Sequence, residues 1–339
     1  MRTVYLIRHG RPDFPLGARP CLGRTDLPLG ALGRMQACRT AQWMQSRPVE
    51  AVYASPLRRA VETARFFSPE IRTLPDLREI DCGDWDGLDF SEIQRRWPAL
   101  YRARGADPSL PMPHGETAAE VRSRAERALR QILSETSGDV LVAAHSFVIR
   151  SLLGDLDLRL PYASVTVLND PAAVGKVPDL PLTPALADAL LTAAAPGERI
   201  EAHCRAVARE AVRIAEALPI VHDCVLLESA ALLHDVARAE PHHAGTGAAY
   251  LRDLGYDRAA ELVSLHHDHD GRTLDEAAIL FLADKCVAED QTVPIEQRFA
   301  KSAEKCKNEE ARLAHARRFA AAQALKTKIN ELCRTEVIK

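Results

Sequence analysis

Between residues 171 and 184 the chain carries Pro171, Pro178, Pro181 and Pro184 in the run LNDPAAVGKVPDLPLTPALADAL. No helical or strand period survives across it. The sequence on either side obeys different rules. Ahead of it, the apolar runs TVYLI, EAVYAS and DVLVAAH alternate with stretches of helical period. Helices are predicted over about 32–46 and 57–67. Another starts at Thr117, where Thr117 and Glu120 form a capping box, and runs to about Glu135. Strands alternating with helices specify a mostly parallel sheet covered on both faces. Beyond the prolines the pattern is helical, rich in Ala and Leu, with almost no β-branched run. The expected organisation is a three-layer α/β domain over 1–170, a Pro-rich linker over 171–183 and an all-α domain over 184–339 that includes a C-terminal helical extension.

At 339 residues the chain is long enough to bury two cores. A formal net charge of −3 gives no pull toward nucleic acid or anionic lipid, so neither is expected as a partner. No apolar stretch reaches the length of a membrane helix. Arg8, His9 and Arg11 break the first apolar run too early for a signal peptide. The eight cysteines are scattered and include no C-x-x-C pair, as expected of reduced thiols in a cytoplasmic protein.

The strand TVYLI runs into Arg8, His9 and Gly10, and DVLVAA delivers His145 in the same way. In α/β sheets the carboxyl ends of strands are where ligands dock. Three further segments join them: SPLRRAVETA from Ser55, LREIDCGDWDG from Leu77 and PHGET from Pro113. Two strand-end histidines, two arginines and a glutamate are what phosphoryl transfer through histidine needs. A neutral imidazole attacks phosphorus, cationic donors neutralise the oxygens, and an acid protonates the leaving group. The combination of RHG, S-P-L-x-R-A and L-R-E-I-D-x-G resembles the histidine phosphatase superfamily, the phosphoglycerate-mutase-like fold. The resemblance implies His9 as the nucleophile and Glu79 as the proton donor. It also implies Arg8, Arg59 and His145 as phosphate-binding residues, and needs no cofactor. His114 falls in the loop that lines the family's pocket mouth, a position for a substrate contact. Ser146 and Phe147 depart from the small residues usual after the second histidine; Phe147 is expected in the core. The absence of a long insertion between Glu79 and Pro113 favours a phosphatase over a mutase.

The second half concentrates histidine. His203, His234–Asp235 and Asp284 each sit in otherwise apolar helical segments. Buried groups of this kind are costly without partners, and one divalent cation would satisfy all four. Mixed imidazole and carboxylate suits Mn, Fe, Co, Ni or Zn. The H…HD…D spacing over about 195–290 resembles the HD superfamily of metal-dependent phosphohydrolases and implies His203, His234, Asp235 and Asp284 as ligands. By the same resemblance His243, His266 and His267 are candidates for a second metal, and Arg238 for a substrate-phosphate contact. His242, His269 and His315 read as solvated. Beyond about residue 290, mixed charge at helical spacing reads as a solvated face. Leu313, Ala316 and Ala320 are expected to pack on the bundle or on a second subunit, which would make a homo-oligomer.

The expected function is bifunctional phosphohydrolysis of small phosphorylated metabolites or nucleotides. Three alternatives compete: a phosphatase regulated by a silent, nucleotide-sensing HD domain, a mutase, and a di-iron HD oxygenase.

Overall fold

The structure is a computed structural model that describes residues 2–15, 17–18 and 20–338. It divides into two compact units, Met1–Leu180 and Pro181–Lys339.

In the first unit the elements are β1 (Val4–Arg8), α1 (Ala31–Met44), β2 (Ala51–Ala54), α2 (Arg58–Ala64), β3 (Arg72–Thr73), α3 (Phe90–Arg96), α4 (Pro98–Ala106), α5 (Ala118–Glu135), β4 (Val140–Ala144), α6 (Ser146–Leu153) and β5 (Val165–Val167). The sheet order is β3-β2-β4-β1-β5, parallel except for β5, which returns antiparallel on β1. The capping box of Thr117 and Glu120 starts α5 as the sequence predicts. Strand β4, VLVAA, is buried along its whole length. Its alternate residues feed different cores, as a period of two requires. Val140, Val142 and Ala144 pack into the layer of α5 and α6, with Phe147 among them. Leu141 and Ala143 pack into the layer of Met44 and Ala64 on the other side.

The register of β1 on β4 positions the chemistry. Arg8 pairs with Ala144, so His9 and His145 each stand one residue past the end of neighbouring parallel strands. The turn after β1 lies against α1 so closely that a Cβ on Gly10 would fall 2.3 Å from the Gly33 carbonyl oxygen. Only glycine fits there.

The second unit contains α7 (Pro184–Ala194), α8 (Glu198–Ala217), α9 (Cys224–Leu233), α10 (His243–Asp253), α11 (Asp257–Leu265), α12 (Glu276–Lys285), α13 (Ile295–Ala303) and α14 (Glu309–Cys333). The sequence predicts helices throughout; the structure adds a short antiparallel pair, β6 (Val287–Ala288) and β7 (Gln291–Thr292). Residues 277–285 of α12 are all buried, which makes it the central helix. Three sequence expectations are corrected here. The buried stripe of α14 is Ala321, Ala322, Leu325 and Ile329, while Leu313 is 59% exposed. His269 is buried, and its Nδ1 accepts from the Gly271 amide, because the chain turns there and needs an acceptor. His315 is half-buried, with Nε2 2.8 Å from Ser302 Oγ and its ring against Phe299.

Candidate phosphoryl-transfer and metal sites

His9 is buried, and its Nδ1 donates to its neighbour's carbonyl, Gly10 O, at 2.7 Å. A neutral ring whose Nδ1 carries the proton has its lone pair on Nε2, the nitrogen available for attack. The His145 ring lies 5.0 Å from it, centroid to centroid, with its own Nε2 2.8 Å from Ser55 Oγ. Arg59 is fully buried; it donates to Thr25 O and Gly23 O, both at 2.8 Å. Arg8 donates to Leu160 O and stacks over the Tyr162 ring at 3.9 Å. Glu79 is buried and accepts from the amides of Ile80 at 3.0 Å and Phe147 at 3.3 Å.

Three buried donors of this group, Arg8 Nε, Arg59 Nε and His145 Nδ1, have no hydrogen-bond partner. Leaving such atoms unsatisfied costs roughly 1–3 kcal/mol each. A dianionic phosphoryl group is a ligand that could accept from all three. His114 sits apart, exposed on a turn at φ +56° with Nδ1 3.0 Å from Asp84 Oδ1.

Burial, then Arg59 and Arg8, pushes His9 well below the ordinary imidazole value; burial, Arg59 and His9 do the same to His145. Both are therefore neutral near pH 7 when folded. The unfolded chain takes up their protons as the pH falls through about 6.5, while the folded chain does not. More protons on the unfolded side means that stability falls as the pH drops below that value. Trp43, Trp85 and Trp97 all lie in the first unit, so tryptophan fluorescence reports its unfolding alone. The urea midpoint should decline from pH 7.5 to pH 5.5, and His145→Asn should flatten the decline. A wild-type midpoint that stayed level over that range would contradict the burial of neutral histidines.

In the second unit, His203 comes from α8, the His234–Asp235 pair from the end of α9, His243 from the start of α10, His266 and His267 from the turn after α11, and Asp284 from α12. Two groups form. His203, His234 and Asp284 make one, and Asp235, His243, His266 and His267 the other; within each group the ligand atoms lie within 4.8 Å of one another. The carboxylate of Asp235 faces both. Its Oδ2 is 3.8 Å from His234 Nε2, and its Oδ1 is 3.2 Å from His243 Nε2 and 3.6 Å from His266 Nε2. Arg238 lies at the edge, its Nη1 2.9 Å from His243 Nε2.

The tautomers show that a cation fits. His203, His234 and His266 each donate Nδ1–H to a backbone carbonyl, those of Glu289, Ala231 and Val263. This is the outer-shell arrangement that fixes metal-binding histidines. It leaves Nε2 turned toward carboxylate oxygens: that of His203 is 3.2 Å from Asp284 Oδ1, and the buried Nε2 atoms of His234 and His266 have no hydrogen-bond partner. Acceptor facing acceptor is repulsive unless a positive ion lies between them. Burial would raise the Asp284 carboxyl, but Lys285, His203 and His234 outweigh it and hold it well below the usual range. The carboxylate is therefore ionised and able to bind metal.

The family model of the histidine phosphatase superfamily (branch 1) matches residues 4–174, half of the chain, and the HD domain model matches 200–289. The chain belongs to the histidine phosphatase superfamily. Its named relatives are phosphatases, and it is itself a phosphatase, followed by an HD domain. It is 30% identical over 162 residues to a protein of Bacillus subtilis named uncharacterized phosphatase PhoE, covering 46% of this chain and 78% of the relative. Glucosyl-3-phosphoglycerate phosphatase of Mycobacterium tuberculosis is 30% identical over 181 residues, covering 50% and 80%. The metal-independent phosphoserine phosphatase of Arabidopsis thaliana is 33% identical over 171 residues, covering 48% and 69%.

Other residues of the histidine phosphatase half were not singled out by sequence. Asp86 accepts from the amides of Gly23, Arg24 and Thr25 at 2.8–2.9 Å, and so clamps the loop whose carbonyls hold Arg59. Ser55 holds His145, and Tyr162 backs Arg8. The loop's run GRTDLPLG has turn composition, which shows that it is a loop but not what it grips. No membrane-spanning helix is present among the described residues.

Proposed function

We propose that the chain is a bifunctional phosphohydrolase acting on small phosphorylated metabolites or nucleotides. The observation that carries the first activity is the His9 tautomer beside three partnerless buried donors. His9 Nε2 attacks phosphorus, and a bond to the leaving oxygen breaks as the N–P bond forms. Arg8, Arg59 and His145 bind the phosphoryl oxygens, whose charge is spread in the transition state. Glu79, next to the amide of Phe147 at the start of α6, gives its proton to the leaving oxygen. Water then cleaves phospho-His9, with Glu79 taking the proton back. The relatives named as phosphatases support this reading, and the metal-independent one supports chemistry without a cation.

For the second activity, His203, His234, Asp235 and Asp284 hold a divalent transition metal, and His243, His266 and His267 with Asp235 hold a second. The bound metals would supply an activated water and charge neutralisation for attack on a phosphoester. Asp235 positions both groups, and Arg238 stands where it can steady a substrate phosphate.

A panel of phosphorylated metabolites, assayed with and without chelator, tests the pair of activities. One set of substrates should survive chelation and another should not. Glu79→Gln should act on the chelator-resistant set in a graded way. An alkyl leaving group needs its proton and should suffer about 10²–10⁴-fold. p-Nitrophenyl phosphate, with a good leaving group, should suffer far less. Equal losses on both would remove Glu79 from the acid role.

A further inference from the structure

The last two helices lie outside the stretch that the HD model matches, yet they line a cavity of about 680 Å³ that also reaches His203, Asp235 and Asp284. That volume is in the range of small-molecule sites. Its outer wall has a regular composition. Arg298 and Lys301 of α13 and Lys305 of the turn after it follow the spacing i, i+3, i+7, which places them along one face. Ile295 and Phe299 of the same helix are buried and fix it in place. On α14 the cavity is lined by Ala311, Ala314, His315 and Arg318, again one helical stripe, with the alanines leaving room.

The charges on this wall are largely uncommitted. Arg318 is paired with Asp268 at 2.7 Å. Arg298 gives its Nε to the Val287 carbonyl, and among the described residues neither it nor Arg199, Lys301 or Lys305 has a carboxylate within ion-pair distance. Apart from Asp235 and Asp284, the only lining carboxylates among the described residues are Glu289 and Glu310. Excess positive charge facing a metal-binding group is suited to a ligand with anionic groups beyond the phosphate being cut.

We propose that α13 and α14 form a second anion subsite, through Arg298, Lys301 and Lys305, that selects substrates carrying a condensed phosphate chain over simple monoesters. The proposal rests on the reading of the helical unit as a phosphoester site and assigns its substrate class. One phosphate sits at the metal-binding residues, and the remaining phosphates lie along the basic stripe. Because the lysines are exposed, the contribution is screened by salt.

The test is calorimetric titration of the metal-loaded full chain with inorganic tripolyphosphate, ATP and AMP. Wild type should bind tripolyphosphate and ATP at least about tenfold more tightly than AMP, a margin that shrinks at high salt. Lys301→Ala combined with Lys305→Ala should erase the margin while metal content by elemental analysis stays at the wild-type value. Arg312→Ala with Arg317→Ala removes the same charge from α14 positions outside the cavity and should keep the margin. ATP binding more tightly than tripolyphosphate would identify nucleoside polyphosphates as the source, and equal binding the phosphate chain alone. No preference over AMP in wild type, or a margin unchanged by the lysine pair, overturns the proposal. Its failure is separable from failure of the hydrolase reading: absent metal-dependent turnover with a lysine-dependent margin intact removes hydrolysis and keeps the subsite.

Discussion

His9→Ala should yield a chain from which no acid-labile phosphate can be trapped, with chelator-resistant turnover reduced by about four orders of magnitude or more. The size follows from the role. Without Nε2 there is no N–P bond to form, and alanine leaves nothing in reach to replace it. The arginines and His145 can still bind the substrate, so KM should move far less than kcat. Rapid quench with a labelled phosphomonoester reads the first effect and steady-state assay with chelator reads the second. The His9 side chain is buried and donates to Gly10 O, while its backbone bonds to Ala144 O and the Ala163 amide remain in alanine, so the fold should survive the change. Wild-type turnover in the variant, chelator present, would dismiss His9 as the nucleophile.

Asp235→Ala should have the opposite distribution of effects. Among the described residues the Asp235 carboxylate is the one with contacts to both histidine groups, so its loss should remove a ligand from each. The chain should lose its bound transition metal, and its metal-dependent turnover with it. Breaking up a buried charged group of this kind costs about 3 kcal/mol, so the helical unit should also melt several degrees lower. Metal stabilisation lost by mass action adds to that. His9-dependent turnover should be unchanged, because the chemistry proposed for His9 uses no cation. Elemental analysis, calorimetric melting and a chelator-resistant assay on one preparation read all three. Stoichiometric metal in Asp235→Ala would show that the ligand set is wrong. Loss of His9-dependent turnover in a folded variant would instead show that the helical unit regulates the phosphatase.

Sequence showed most clearly what lies at the ends of strands. TVYLI and DVLVAA are apolar runs long enough to place, and each hands its histidine to the same sheet edge. The edge strand β5 was not foreseen, because three residues, VTV, in a polar loop carry too little pattern. Tyr162, two residues before the Ser164 whose carbonyl accepts from the Arg8 amide, was hidden with it. The burial of Arg59 against the exposure of Arg58 is a helix-phase distinction that adjacent identical residues do not express by themselves; the motif S-P-L-x-R-A, whose arginine is Arg59, made it. In the helical half the H…HD…D residues stood out as polar residues in apolar helices. His243, His266 and His267 sit at helix ends and turns, where polarity is ordinary, so only the fold brings them to Asp235. Helix α14 misled for a different reason: in an Ala-rich segment several apolar stripes compete, and Leu313 marks one that faces solvent.

The pairing of β1 with β4 has a consequence for biosynthesis. Strand β1 is made before β4, which leaves the ribosome only after β2, β3 and five helices have followed β1. Arg8 gains its register partner, Ala144, at that late point, and His145 follows at once. Every shorter nascent chain has His9 but neither its neighbouring histidine nor the strand that seats it, and should not turn over phosphate esters at that site. In refolding too, the contact that makes the site is one of the most distant in its unit, and contacts of that kind are slow to form. His9-dependent activity should then return with the pairing of β1 and β4, not with the helices.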